Sequence, residues 1–135
     1  MIRAVIDTNV LISALFWGGA PRRVVDLAAS GRFRALTSLE LLAELEDVLA
    51  EDFGVPQERL DLIVRDVLSY AEVVTVTEEA VPVIVRDLSD VKVIACALAG
   101  HADRIITGDT DLLAVSEVDD VRIVTVRGFL ESHAW

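Results

Sequence analysis

A β-branched apolar run, Ala4-Val5-Ile6, stops at a carboxylate, Asp7, and a second run, Ile105-Ile106, stops in Thr107-Gly108-Asp109. Short apolar runs without polar alternation belong to strands covered on both faces. Such strands need helices on each side of their sheet, and the intervening segments supply them. Val10 to Phe16 can form a helix that Gly18-Gly19 breaks, and Pro21 suits the first turn of the next, Arg22 to Ala29, ahead of a strand from Phe33 to Leu36. Thr37 or Ser38 can cap a helix whose buried stripe is Leu41, Leu42, Leu45, Val48 and Leu49. Pro56 opens another, striped by Leu60, Ile63, Val64, Val67 and Leu68. Val73, Val74 and Val76 give a strand, and Val81 to Val85, with Pro82 inside it, is an extended run of ambiguous type. A helix from Asp90 to Ala99, a strand from Arg104 to Thr107, a short helix from Asp111 to Val115, a strand from Val121 to Val126 and a C-terminal helical turn complete the pattern. Strands alternating with helices, with no linker or repeat between them, predict one α/β domain over residues 1–135 with a mainly parallel sheet.

In such a sheet ligands sit outside the carboxyl ends of the strands, where Asp7 and Asp109 stand. Asp90 opens an apolar-periodic helix, and Glu44 lies on the helix after the second strand. Each acid has an ordinary alternative. Asp90 and Asp109 could be helix caps worth about 1 kcal/mol, and Glu44 could be a solvated helix residue. Asp7 is harder to explain so, because an acid ending a buried strand needs a partner for its charge. Glu40, Glu44, Asp47 and Glu51 recur at helical spacing, and their repulsion calls for solvent screening or a cation. Carboxylates without a basic partner are hard ligands suited to Mg2+ or Mn2+, and magnesium pairs readily with substrate phosphate.

The balance of charge narrows the field further. A net charge of −11 argues against a protein that grips nucleic acid with a broad basic surface. It leaves room for a nuclease with local contacts, for which Arg22, Arg23, Arg32 and Arg34 are candidates on the RNA backbone. The one cysteine, Cys96, allows no intrachain disulfide and reads as a packing residue, which fits a reducing cytoplasm. No window reaches the roughly 18 uninterrupted apolar residues of a membrane span. His101 and His133 lack zinc-ligand spacing, and no nucleophile elbow or phosphate-binding glycine loop occurs. Phe16 and Trp17, ending an apolar stretch, read as core or subunit-interface residues.

Four segments together carry a family resemblance: Val5 to Leu15 (VIDTNVLISAL), Ser38 to Leu49 (SLELLAELEDVL), Arg86 to Asp90 (RDLSD) and Ile105 to Leu113 (IITGDTDLL). In order and spacing the chain resembles PIN-domain ribonucleases, and most closely the VapC-like proteins that act as toxins of toxin–antitoxin pairs. The resemblance covers essentially the whole chain. It implies a PIN-like three-layer α/β/α fold and an acidic cluster of Asp7, Glu44, Asp90 and Asp109. Asp7, Asp90 and Asp109 would be metal ligands, Glu44 would act through water or on a second ion, and Asn9, Thr107 and Asp111 would be polar support. Val91 stands where relatives commonly carry a polar residue and Leu88 where proline is frequent, which leaves Asp87 as an alternative to Asp90. The implied activity is Mg2+- or Mn2+-dependent hydrolysis of RNA, giving 5′-phosphate and 3′-hydroxyl ends. The implied partners are an antitoxin protein and a second copy of the chain, with no membrane.

Two other functions compete. A catalytically idle PIN-like module could bind a basic protein through its acidic surface. A metal-dependent phosphatase on a similar scaffold would want a second acid after the first strand, where Asn9 stands instead.

Overall fold

The two apolar runs do form the centre of a sheet. The computed structural model of the chain describes residues 1–77 and 88–135. In chain order its elements are β1 (Arg3–Ile6), α1 (Thr8–Phe16), α2 (Gly19–Ala29), β2 (Arg34–Thr37), α3 (Leu39–Phe53), α4 (Gln57–Tyr70), β3 (Ala71–Val73), α5 (Leu88–Ala99), β4 (Arg104–Ile106), α6 (Thr110–Val115), β5 (Glu117–Val118), β6 (Val121–Val124) and α7 (Val126–Glu131). The strands lie in the order β3-β2-β1-β4-β6-β5, all parallel except for the β5–β6 pair. This is the mainly parallel sheet that the alternation predicted. From β1 the chain builds outward to β2 and β3, then returns to place β4 on the other flank, so the order reverses between β1 and β4.

Strand alternation divides the sheet side chains between two cores. Ala4, Ile6, Ala35 and Ile106 meet α1, α2, α3, α4 and α7 on one face. Val5, Leu36, Ile105 and Ile123 meet α5 and α6 on the other. Three layers result, with every central strand buried on both sides. β1, β2 and β4 begin on arginine and β6 carries one at its second residue: Arg3 pairs in register with Arg34, and Arg104 with Arg122. Like charges side by side are costly in a sheet. Glu72 offsets part of this by a two-pronged contact to Arg3 at 2.8 and 3.2 Å, which raises the guanidinium pKa and lowers that of the carboxyl.

Boundaries depart from the sequence reading where capping competes with strand propensity. β3 begins directly at the end of α4, at Ala71 rather than Val73, because it follows the register of β2 (Leu36 with Glu72, Thr37 with Val73). β6 stops at Val124, not Val126, since Thr125 turns to cap α7 by accepting the Gly128 N–H at 2.9 Å. β5 was not foreseen from two residues. Ser38, of the two cap candidates, caps α3 through Leu41 N at 3.2 Å. The run Val81 to Val85 and the residue Asp87 lie outside the described residues. Cys96 is fully buried, as expected. Phe16 and Trp17 are not in the core: Phe16 stacks on Phe53 with centroids 4.7 Å apart, and Trp17, edge-on to both rings, stands 70% exposed.

Candidate active site

Asp7 follows the last residue of β1, and Thr107 the last residue of β4. Because Ile6 and Ile106 are register partners, the two residues are neighbours across the switch point, and Asp7 N donates to Ile106 O at 3.0 Å. The Asp7 carboxylate occupies the cap position of α1 without making a side-chain cap bond. It turns to Thr107, whose hydroxyl donates to Oδ2 at 2.7 Å. Thr107 Oγ1 in turn accepts the Asp109 N–H at 3.0 Å. Asp109 is the cap of α6, with Oδ1 accepting Asp111 N at 2.8 Å, so the expected cap role and a place in the acidic site coexist in one residue. Asp111 itself points into solvent from the first turn of α6, and Asn9 is exposed on the first turn of α1.

Burial dominates the electrostatics of this pair. Asp7 is 6% exposed, and loss of hydration raises its pKa. Hydrogen bonds from Thr107 and from the Thr8 backbone pull it back down, and the charge of Asp109 pushes it up again. A buried carboxylate facing a second carboxylate is the state that a cation relieves.

Two further acids arrive on helices. Arg3 Nε, at the start of β1, donates to Gly100 O at 3.0 Å, which places the carboxyl end of α5 at the amino end of the strand. The first turn of α5, with buried Asp90, therefore lies toward the carboxyl ends where Asp7 sits. Asp90 is the third residue of this helix, not its cap. On α3, Glu40, Asp47 and Glu51 face solvent, and Glu44 is the half-buried member of that row. Glu44 Oε2 lies 3.9 Å from Lys92 Nζ, a contact that joins α3 to α5. Lys92 escaped the sequence reading, although a signal was present: it is the only lysine in the chain, two residues after Asp90.

The structure brings Asp7, Thr107 and Asp109 together and carries Asp90 and Glu44 to the same end of the sheet. Among the described residues no three His, Cys, Asp or Glu side chains converge closely enough to hold an ion unaided. The arginines divide. Arg22 and Arg23 follow the first turn of α2, with Arg22 paired to Asp26 at 3.1 Å. Arg34 starts β2 at the opposite end of the sheet, and Arg32 there donates to Trp135 O at 3.0 Å. Among the described residues no helix is long and apolar enough to cross a membrane.

A family model described as the PIN domain matches residues 3–111. Comparison with curated proteins gives no match. Among solved structures, the crystal structure of VapBC2 from Rickettsia felis bound to a DNA fragment from their promoter is similar, with 14% sequence identity and a TM-score of 0.68. The match covers 92% of this chain and 98% of that one. At that identity the likeness is one of fold.

Proposed function

Since this chain belongs to the PIN domain family, whose members are generally nucleases, we propose that it is a divalent-metal-dependent endoribonuclease hydrolysing RNA phosphodiester bonds. The observation that carries the reading is the buried Asp7 carboxylate at the β1–β4 switch point, tied to Thr107 and facing the charge of Asp109. Its donors are hard oxygens, which suit Mg2+ or Mn2+. Magnesium is commonly held through one or two carboxylates, with waters and substrate phosphate filling the remaining places. Two converging acids therefore suffice.

In this reading Asp7 and Asp109 hold the ion, Asp90 reaches it directly or through water, and Glu44 acts through water beside Lys92. When bound, the ion polarises the scissile phosphate and acidifies a water for in-line attack. Thr107 fixes the carboxylate plane of Asp7, and the Asp111 N–H does the same for Asp109. Both acids hang on backbone at the ends of hydrogen-bonded strands, so the pair is organised before substrate arrives. Asn9 and Asp111 supply outer polar contacts, and in this reading Arg22 and Arg23 contact the RNA backbone.

The sequence resemblance to VapC-like toxins and the fold shared with VapBC2 support a further part of the proposal: residues 1–135 act as one domain, the cytoplasmic toxin of a toxin–antitoxin pair, working as a homodimer. An antitoxin arginine entering the acid site would make charge-assisted bonds to the carboxylates and displace the metal. The test is incubation of the purified chain with structured and unstructured RNA in Mg2+, Mn2+ or EDTA, beside Asp7→Asn. Cleavage should require metal and the Asp7 carboxylate. Equal cleavage by the variant at matched purity removes the assignment, and absence of cleavage in every metal leaves the idle binding module as the better reading.

A further inference from the structure

Beside the acids opens a hollow of about 390 Å3 that the reading above leaves without a role. It lies between α1, the first turn of α2 and the β6–α7 junction, and it shares Thr107 and Gly108 with the acid site. We propose that this hollow seats one unpaired nucleobase of the RNA, next to the bond that the acids cut. The proposal rests on the ribonuclease reading of that site.

Two observations converge on a nucleotide. First, the space falls in the range of small-ligand sites, which are mainly apolar with a few polar groups that set orientation. Val10, Pro21 and Val126 supply apolar walls, and Ser13 and Thr125 supply hydroxyls. Thr125 Oγ1 already accepts the Gly128 N–H at 2.9 Å and keeps its own proton to donate. Second, positive potential gathers at the rim of a chain that is otherwise strongly acidic. Ala20 and Pro21 line the hollow, so the amino end of the eleven-residue α2 faces it, with no acid in its first turn. Arg127 lines it too, 86% exposed and in contact with Glu131 at 3.4 Å. A helix amino end and an exposed guanidinium together suit the phosphate attached to a bound base.

Base recognition in RNA works on bases free of a helix, through their faces and edges. The hollow therefore imposes a preference for single-stranded substrate. Hydroxyls donate and accept alike, so the choice of base is set by the size of the slot more than by a unique hydrogen-bond pattern.

The test fills the slot. Ser13→Phe and Val126→Phe are made in the full chain and checked for a wild-type melting temperature and a wild-type Mn2+-induced rise in it. Binding of 5′-fluorescein hexauridylate and hexaadenylate is read by anisotropy in EDTA, and cleavage of the same oligonucleotides is mapped in Mn2+. Filling should weaken binding about tenfold, the scale of one base contact, and move or blur the cleavage position. Arg127→Ala should weaken binding by a smaller factor. If the wild type cleaves and both folded, filled variants bind and cut as it does, the hollow is not a base site while the ribonuclease reading stands. If the wild type neither binds nor cuts either oligonucleotide while its acid site still takes up Mn2+, the ribonuclease reading falls and the base site with it.

Discussion

Asp7 answers to conflicting demands. Folding places it at the end of a buried strand, where its charge costs stability, and the proposed chemistry needs that charge. Its folded pKa is raised, chiefly by desolvation. Just above the ordinary carboxylate range the native state thus holds a proton that the unfolded chain has lost, and stability falls as pH rises through the folded pKa. Thermal melts in EDTA from about pH 4 to about pH 7 should show this fall for the wild type and a flatter profile for Asp7→Asn. At pH 7 without metal the variant should melt higher. Adding Mn2+ should reverse the order, because an ion that binds only the folded site stabilises it by mass action, about 2.7 kcal/mol at a hundred times its dissociation constant. Parallel melting curves would show that the Asp7 charge is already balanced. Burial by itself does not make a reactive group: Cys96, also buried, has its thiol pushed up to about 12 by desolvation and stays protonated. Its expected behaviour is inertness to a thiol-specific dye until the chain unfolds.

At the level of elements, the close seating of α5 positions Asp90, and Gly100 permits it. A Cβ there would meet Val74 Cγ2 at 2.8 Å, Leu36 Cδ1 at 3.0 Å and Cys96 O at 3.1 Å. Gly100→Ala should destabilise the fold by about 1–3 kcal/mol in urea titration, as overpacking does. An unchanged midpoint would mean that the helix end yields without cost. The order of elements was readable because the apolar runs and helical stripes are strong periodic signals. Asp7 and Asp109 were readable as well, since each interrupts or ends an apolar strand. The short β5 has no period to detect, and the β6 boundary is decided by a cap that competes with valine-rich strand propensity. Lys92 depends on which faces of α3 and α5 meet, a tertiary fact that spacing does not contain. The hollow likewise draws on three distant segments, and Arg127 looks like any exposed helix residue from sequence.

For the molecule as a whole, the apolar side chains of α1 and α3 are mostly internal: Val10, Leu11, Leu42, Leu45 and Leu49 are core. Outside lie Leu39 and a patch of Leu15, Phe16, Trp17 and Phe53. If this patch joins two copies, light scattering at tens of micromolar protein should report a dimer that Trp17→Glu converts to monomer. A wild-type monomer at that concentration would sink the dimer. A second whole-molecule consequence follows from the arginines near the starts of four strands, Arg3, Arg34, Arg104 and Arg122, at the end of the sheet remote from Asp7 and Asp109. The protein is polarised along its strands, so the field of an approaching polyanion exerts a torque that turns the acid end away. Salt weakens both this misorientation and the overall repulsion of a chain of net charge −11. Stopped-flow encounter with a short RNA should therefore accelerate as salt rises from about 0.01 to 0.1 M, the inverse of the kinetic salt effect shown by a basic nuclease.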